Sequence, residues 1–212
     1  VGNRTVVIWR HGQTAWNAER RFQGQLDIDL DDVGFAQAAR AATLLAGLAP
    51  SAIVSSDLMR ARHTAGALAE LTGLQVTTDR RLREIDVGAW QGLTFDEVAV
   101  RFPAEAMAWR DGGEGRRGGG ETLIEVGDRA VAAVSDGLVA LDDEDGTLVV
   151  ATHGASGRAI VASLIGLPTS SWRALGSLAN CCWSVLTETA VGWRLHEHNA
   201  GSLPLDVVGD DQ

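Results

Sequence analysis

No apolar run in these 212 residues approaches the length of a membrane span. The first residues also lack the basic-then-apolar layout of a signal peptide, because Val6 to Trp9 is far too short an apolar core. Cysteine is nearly missing. Its two copies, Cys181 and Cys182, are neighbours, a spacing that rarely closes a disulfide and gives no framework of them. A reducing cytoplasm is the expected setting. Basic charge is in deficit: 18 Lys and Arg stand against 28 Asp and Glu, for a net charge of −10 and a pI near 4.9. That balance argues against nucleic acid or an anionic membrane as partner, since both are bound through a basic face. Internal repeats and domain-separating linkers are also lacking. These absences leave a soluble globular protein of one domain, residues 1–212, with a poorly ordered tail after about 204.

The apolar share, 45%, is distributed in short blocks. Val6-Val7-Ile8-Trp9 and Thr147-Leu148-Val149-Val150-Ala151 read as buried strands, and Ala52-Ile53-Val54 as a shorter one. Gln75 to Thr78 predicts a further strand, and Cys182–Thr187 with Gly192–His196 a closing hairpin. Between them lie helical patterns. One covers Asp32 to Gly47, with Phe35, Ala38, Ala42 and Leu45 on one face. Another runs from Leu58 to Leu71, with Ser55-Ser56-Asp57 offered as its cap. Thr94/Glu97 and Thr122/Glu125 are spaced as capping boxes, the first helix ending at Phe102-Pro103. The helix opened by Thr122 places Ile124, Val131, Val134, Leu138 and Leu141 on one face, and a last helix covers Ala155 to Ile165. Thr14 to Ile28 reads as a polar loop, and Asp142 to Gly146 as a solvated acidic turn. Asp111 to Gly120 is glycine-rich around Arg116-Arg117, either a flexible surface loop or a mobile lid carrying cations to an anionic substrate. Helices alternating with short apolar strands predict an α/β fold: a three-layer α/β/α sandwich with a mostly parallel central sheet.

Both long buried strands end in histidine followed by glycine, His11-Gly12 and His153-Gly154. In an open α/β sheet, ligands bind outside the carboxyl ends of strands, so both imidazoles are expected at one rim. Arg10 precedes the first, and Arg60 opens the helix after Ser55-Ser56. Two guanidinium groups there would attract a dianionic phosphoryl group despite the acidic net charge, each contributing several kcal/mol at an effective dielectric of about 20. Zinc would want a third ligand, which Glu84 could supply, but adjacent arginines repel a metal. His63, beside an apolar stripe, and His196 and His198, on one face of a strand, read as structural or solvated.

Four segments, in order, resemble the histidine phosphatase (phosphoglycerate-mutase-like) superfamily. They are Arg10-His11-Gly12-Gln13-Thr14; Ser55-Ser56-Asp57-Leu58-Met59-Arg60-Ala61 continuing to Thr64-Ala65; Leu82, Glu84, Gly88, Trp90 and Gly92; and Thr152-His153-Gly154. The resemblance implies the phosphoglycerate-mutase-like fold and a phosphomonoester hydrolase working through a phosphohistidine. His11 would be the nucleophile, with its second nitrogen's proton on a backbone carbonyl near Gly12. Arg10, Arg60 and His153 would bind the phosphoryl oxygens. Glu84 would protonate the leaving alcohol and then activate water. Asn17, Gln23 and Gly24 would line the phosphate pocket. No metal or organic cofactor is implied, and a homodimer is. Shorter runs, such as Trp90-Gln91-Gly92-Leu93-Thr94 and Trp193-Arg194-Leu195, resemble one subgroup of that family, and this resemblance implies a small anionic phosphorylated metabolite such as glucosyl-3-phosphoglycerate. For a carboxylate beside the phosphate, Arg116, Arg117 or Arg83 are candidate cations. A broad-specificity or α-ribazole-type phosphatase and a phosphoglycerate mutase are the alternatives. The short stretch between the glutamate motif and the second histidine favours a phosphatase.

Overall fold

The computed structural model describes residues 4–113, 115–141 and 145–201. The expected tail after 204 and part of the acidic turn at 142–146 lie outside these residues. Six strands make one sheet in the order β3-β2-β4-β1-β5-β6. They are β1 (Thr5–Arg10), β2 (Ala52–Ser55), β3 (Val76–Thr78), β4 (Thr147–Thr152), β5 (Trp183–Thr189) and β6 (Gly192–Ala200). β1, β2, β3 and β4 run parallel, while β5 returns antiparallel beside β1 and turns into β6. β1 lies between β4 and β5, with Thr5 opposite both Thr147 and Thr187. The closing hairpin is present, and its strands are longer than the sequence pattern indicates.

The strands alternate their side chains between two apolar layers, as the period-two geometry of a strand requires. Val6, Ile8, Leu148 and Val150 face α6 (Leu123–Val139) and α7 (Gly154–Leu164) through Ala130, Val134, Leu138, Ile160 and Val161. Val7, Trp9, Ile53, Val149 and Ala151 face α2 (Asp32–Ala46) and α3 (Met59–Thr72) through Ala38, Ala42, Leu45, Ala65 and Leu68. Helices therefore cover both faces, and the central residues of β1 and β4, Val6–Trp9 and Leu148–Ala151, are apolar because neither face meets water. A third apolar cluster, built on Phe22, Trp90, Val98, Trp109 and Trp172, sits beside the carboxyl ends of the strands under α4 (Phe95–Arg101) and α5 (Pro103–Arg110).

Several local expectations need correction. Phe35 is exposed and stacks near His63, so the buried face of α2 turns towards Gly34, Ala38, Ala41 and Leu45. Ile124 is exposed too, and Val126 and Ala130 take the inner positions of α6. Phe102-Pro103 ends α4 but also starts α5, proline being suited to a first helical turn. Thr14 to Ile28 contains a one-turn helix, α1 (Ala15–Ala18), closed by a Thr14/Asn17 capping box. Both predicted capping boxes, at Thr94/Glu97 and Thr122/Glu125, form.

Candidate active site

β1 carries Arg10 at its carboxyl end and delivers His11 and Gly12 just beyond it. Gly12 is required by close approach: a Cβ there would stand 2.4 Å from the Gly34 carbonyl oxygen in the first turn of α2. The Gly12 amide donates to Thr64 Oγ1 at 3.0 Å, and its carbonyl accepts from His11 Nδ1 at 2.7 Å. A carbonyl only accepts, so Nδ1 carries the proton and Nε2 keeps its lone pair. Burial, then the charges of Arg60 and Arg10, push the His11 imidazole well below the usual histidine range, against the pull of the Gly12 carbonyl. It is a neutral base with one defined tautomer.

β4 ends in register with β1, with Arg10 opposite Thr152, and presents His153. The two imidazoles meet edge to face with centroids 5.1 Å apart. Arg60 Nε donates to His153 Nδ1 at 3.2 Å, which leaves the ring proton on Nε2, 2.8 Å from Ser56 Oγ. Burial is again the first cause that holds His153 well below the usual range, followed by Arg60. Arg60 itself is fully buried in the first turn of α3 and donates to the carbonyls of Leu26 at 2.7 Å and Gly24 at 2.8 Å. Arg10 donates to the Leu178 carbonyl at 2.6 Å, and Gly154 lies against its guanidinium.

Glu84 is 3% exposed. One carboxylate oxygen accepts the amides of Ile85 and Ser156, and the other accepts Ala155 N at 3.2 Å. The carboxyl group therefore sits on the first turn of α7, where the otherwise unpaired amides fix its position. The helix that follows His153 thus orients Glu84, and both flank the same strand end.

The structure also gathers Asn17, Gln23 and Gly24, all buried. Asn17 Oδ1 accepts from Thr14 N and from Asn180 Nδ2, so its amide is fixed. Asn17 Nδ2 and Gln23 Oε1 have no hydrogen-bond partner among the described residues. Gly24 acts through its carbonyl on Arg60, with a φ of +53° that favours glycine. Ser55-Ser56-Asp57 do not cap α3, whose N-cap is Leu58 without a side-chain bond. These side chains are engaged elsewhere: Ser56 by His153 and Asp57 by Arg83, at 2.7 Å. Of the other candidate cations, Arg116 pairs with Glu125, and Arg117 is buried 5.2 Å above the Trp109 ring. Arg117–Gly119 form a one-turn 3-10 helix packed on Gly88–Trp90, so this part of the glycine-rich segment is packed against the body of the protein. His63 binds Asp29, and His196 and His198 bind Thr187 and Ser184, away from the site.

Sequence reasoning missed Asn180, which donates to the His11 carbonyl at 3.1 Å and braces Asn17. It stands in an irregular stretch before β5 with no periodic signal. Among the described residues no three His, Cys, Asp or Glu side chains come together as metal ligands, and no helix is long and apolar enough to cross a membrane.

The family model of the histidine phosphatase superfamily (branch 1) matches residues 6–201. The chain is 40% identical to the glucosyl-3-phosphoglycerate phosphatase of Mycolicibacterium vanbaalenii, over 94% of this chain and 96% of that protein. It is 35% identical to a probable phosphoglycerate mutase GpmB of Salmonella paratyphi C, over 89% and 86%. The solved structure of a mycobacterial glucosyl-3-phosphoglycerate phosphatase complexed with VO3 superposes with a TM-score of 0.88 at 40% identity, over 93% of this chain and all of that one.

Proposed function

The chain belongs to the histidine phosphatase superfamily, branch 1, and is a phosphoric monoester hydrolase; from that premise we propose that His11 is its nucleophile and glucosyl-3-phosphoglycerate its substrate. The observation that carries the nucleophile is the Nδ1–H bond from His11 to the Gly12 carbonyl, which leaves Nε2 as an unprotonated lone pair beside His153. His11 Nε2 attacks phosphorus, the bond to the leaving oxygen breaks in line, and Glu84 gives that oxygen a proton. Water then attacks the phosphohistidine, with Glu84 taking its proton, and inorganic phosphate leaves. Arg10 and Arg60, whose guanidinium groups are braced by backbone carbonyls, balance the charge on the phosphoryl oxygens. His153 Nε2–H is a donor that a phosphoryl oxygen takes over from Ser56. Asn17 Nδ2, held by its own Oδ1 contacts, supplies another. Gln23 lines the same pocket, and Gly24 serves it by placing Arg60.

Support for the substrate is the 40% identity with named glucosyl-3-phosphoglycerate phosphatases across nearly the whole chain. A carboxylate-bearing substrate would compete with Asp57 for Arg83, which lies one residue before Glu84. The same reading includes one domain carrying the whole site, a homodimer and a cytoplasmic setting. The last is supported by Cys181 and Cys182 being free thiols.

The test is phosphate release from glucosyl-3-phosphoglycerate, 3-phosphoglycerate and p-nitrophenyl phosphate, with His11→Ala as control and trapping of the labelled enzyme by denaturation at alkaline pH, followed by acid treatment. A kcat/KM at least about a hundredfold higher for the glucosylated ester is expected, equivalent to about 2.7 kcal/mol of differential transition-state binding. Equal values across the panel would overturn the substrate assignment. Transfer of label to a second phosphoglycerate hydroxyl would favour the mutase reading, and label that survives acid or persists in His11→Ala would sink the phosphohistidine.

A further inference from the structure

Glu84 must present a carboxyl group to the leaving oxygen, yet its own backbone belongs to no strand or helix. One residue of α6 compensates. Arg129 donates five hydrogen bonds, matching the five N–H groups a guanidinium owns. Nη1 reaches the carbonyls of Arg81 at 2.6 Å and Arg83 at 2.7 Å, and Nη2 reaches the carbonyl of Glu84 at 3.0 Å. The remaining donors form a two-point pair with Glu121, Nε to Oε1 at 2.8 Å and Nη2 to Oε2 at 2.8 Å. Glu121 closes the buckle from the other side. Its Oε2 accepts Asp86 N at 2.8 Å, and its amide donates to Asp86 O at 2.8 Å. Gln25 Nε2, in the loop that also carries Gln23 and Gly24, donates to the Glu84 carbonyl at 3.3 Å. The peptide units on both sides of Glu84 are thus fixed by one ion pair whose side chains are about one-fifth exposed, 19% and 23%. Burial lifts the Glu121 carboxyl, but Arg129 and the Asp86 amide outweigh it and hold it below the usual range.

We propose that Arg129 and Glu121 are positioning residues for the proton-donating step, acting through the backbone of residues 81–86 to aim Glu84 at the leaving oxygen. The inference rests on the role given to Glu84 above. A lysine at 129 keeps the charge but cannot hold three carbonyls and a carboxylate in one plane. A small misplacement of a catalytic group costs up to about a hundredfold.

The experiment compares kcat/KM for 3-phosphoglycerate, whose alkoxide needs a proton to leave, with p-nitrophenyl phosphate, whose phenolate leaves without one. This ratio reports only the steps through the first P–O cleavage, so the shared hydrolysis of phosphohistidine drops out. Arg129→Lys is expected to lose about 10- to 100-fold on the alkyl ester and under about threefold on the aryl ester. Glu121→Gln, which keeps the shape of the side chain, is expected to show the same bias at smaller size and carries the test if Arg129→Lys fails to fold. Adding Arg129→Lys to Glu84→Gln is expected to cost nothing further on the alkyl ester. A merely structural role would lower both substrates alike, and equal losses, or none, in Arg129→Lys and Glu121→Gln overturn the proposal. If Glu84→Gln itself shows no leaving-group bias, the role of Glu84 fails instead, and the proposal falls with it by a recognisably different result.

Discussion

At the scale of single residues, the site depends on groups that can adopt only one arrangement. Arg60 is the clearest case, since its three kinds of nitrogen serve the Leu26 carbonyl, the Gly24 carbonyl and His153 Nδ1. Arg60→Lys keeps a positive charge but loses the fork. We expect kcat/KM for any phosphate monoester to fall at least about a hundredfold, the size seen when a preorganised donor is lost. A fall of under tenfold, measured with a thermal melt unchanged from the parent, would show that charge alone suffices. Gly12 makes a different demand. A Cβ would meet the Gly34 carbonyl oxygen at 2.4 Å, and both atoms belong to backbone that cannot swing away. Gly12→Ala should destabilise the fold by about 2–4 kcal/mol in urea titration.

At the scale of elements, the glycine-rich segment is a clasp. A Cβ on Gly88 would lie 2.1 Å from the Gly118 carbonyl oxygen, and one on Gly120 would lie 2.0 Å from the Asp86 carbonyl oxygen. Two short 3-10 turns therefore touch backbone to backbone, just after Glu84. Gly88 also has a φ of +48°, so Gly88→Ala adds strain to a clash. It should lower stability by more than about 2 kcal/mol and reduce turnover; an alanine variant with parental stability and activity would mean that the clasp is dispensable. This clasp was not legible in the sequence, where ten residues rich in glycine look like a loop whatever they touch. The strands and their histidines were legible, because Val6–Trp9 and Leu148–Ala151 are apolar on both faces and each stops at His-Gly. The two capping boxes were legible because Thr and Glu three apart satisfy each other's amides within one helix turn, even though Glu97 also pairs with Arg21 and Glu125 with Arg116. Ser55-Ser56-Asp57 misled for the opposite reason. Good capping side chains are also good partners for His153 and Arg83, and nothing local says which use wins. Arg129, Glu121 and Asn180 escaped notice because the groups they hold in place, the backbone around Glu84 and the His11 carbonyl, are far away in the chain.

At the scale of the whole molecule, every one of the 18 basic side chains is an arginine, lysine being absent. Guanidinium stays charged throughout the accessible pH range, so the titration of the site belongs to its imidazoles and carboxylates. His11 and His153 are held neutral in the folded chain, whereas the unfolded chain binds protons on both below about pH 6.5. Stability is therefore lost as pH falls through that value. Between pH 7.5 and 5.5 the loss should approach about 1.4 kcal/mol for each histidine. Asp57, Asp79, Glu97 and Glu125 have lowered values, so their share is lost only at lower pH, below the usual carboxylate range. Urea titrations at the two pH values check this, and His11→Ala should show about half the parental difference. A parental difference near zero would mean that the imidazoles are charged when folded.

The sheet order also bears on how the protein is made. β1 emerges first, but its neighbours are β4 and β5, and Thr5 can meet Thr147 only after most of the chain has been synthesised. Until then Val6-Val7-Ile8-Trp9 is an unpaired apolar strand, the kind of segment that chaperones shield and that aggregates when they do not. Such distant pairings also slow folding towards the millisecond-to-second range. His11, the proposed nucleophile, thus leaves the ribosome long before His153 can join it, so a product truncated before β4 carries His11 without its partners.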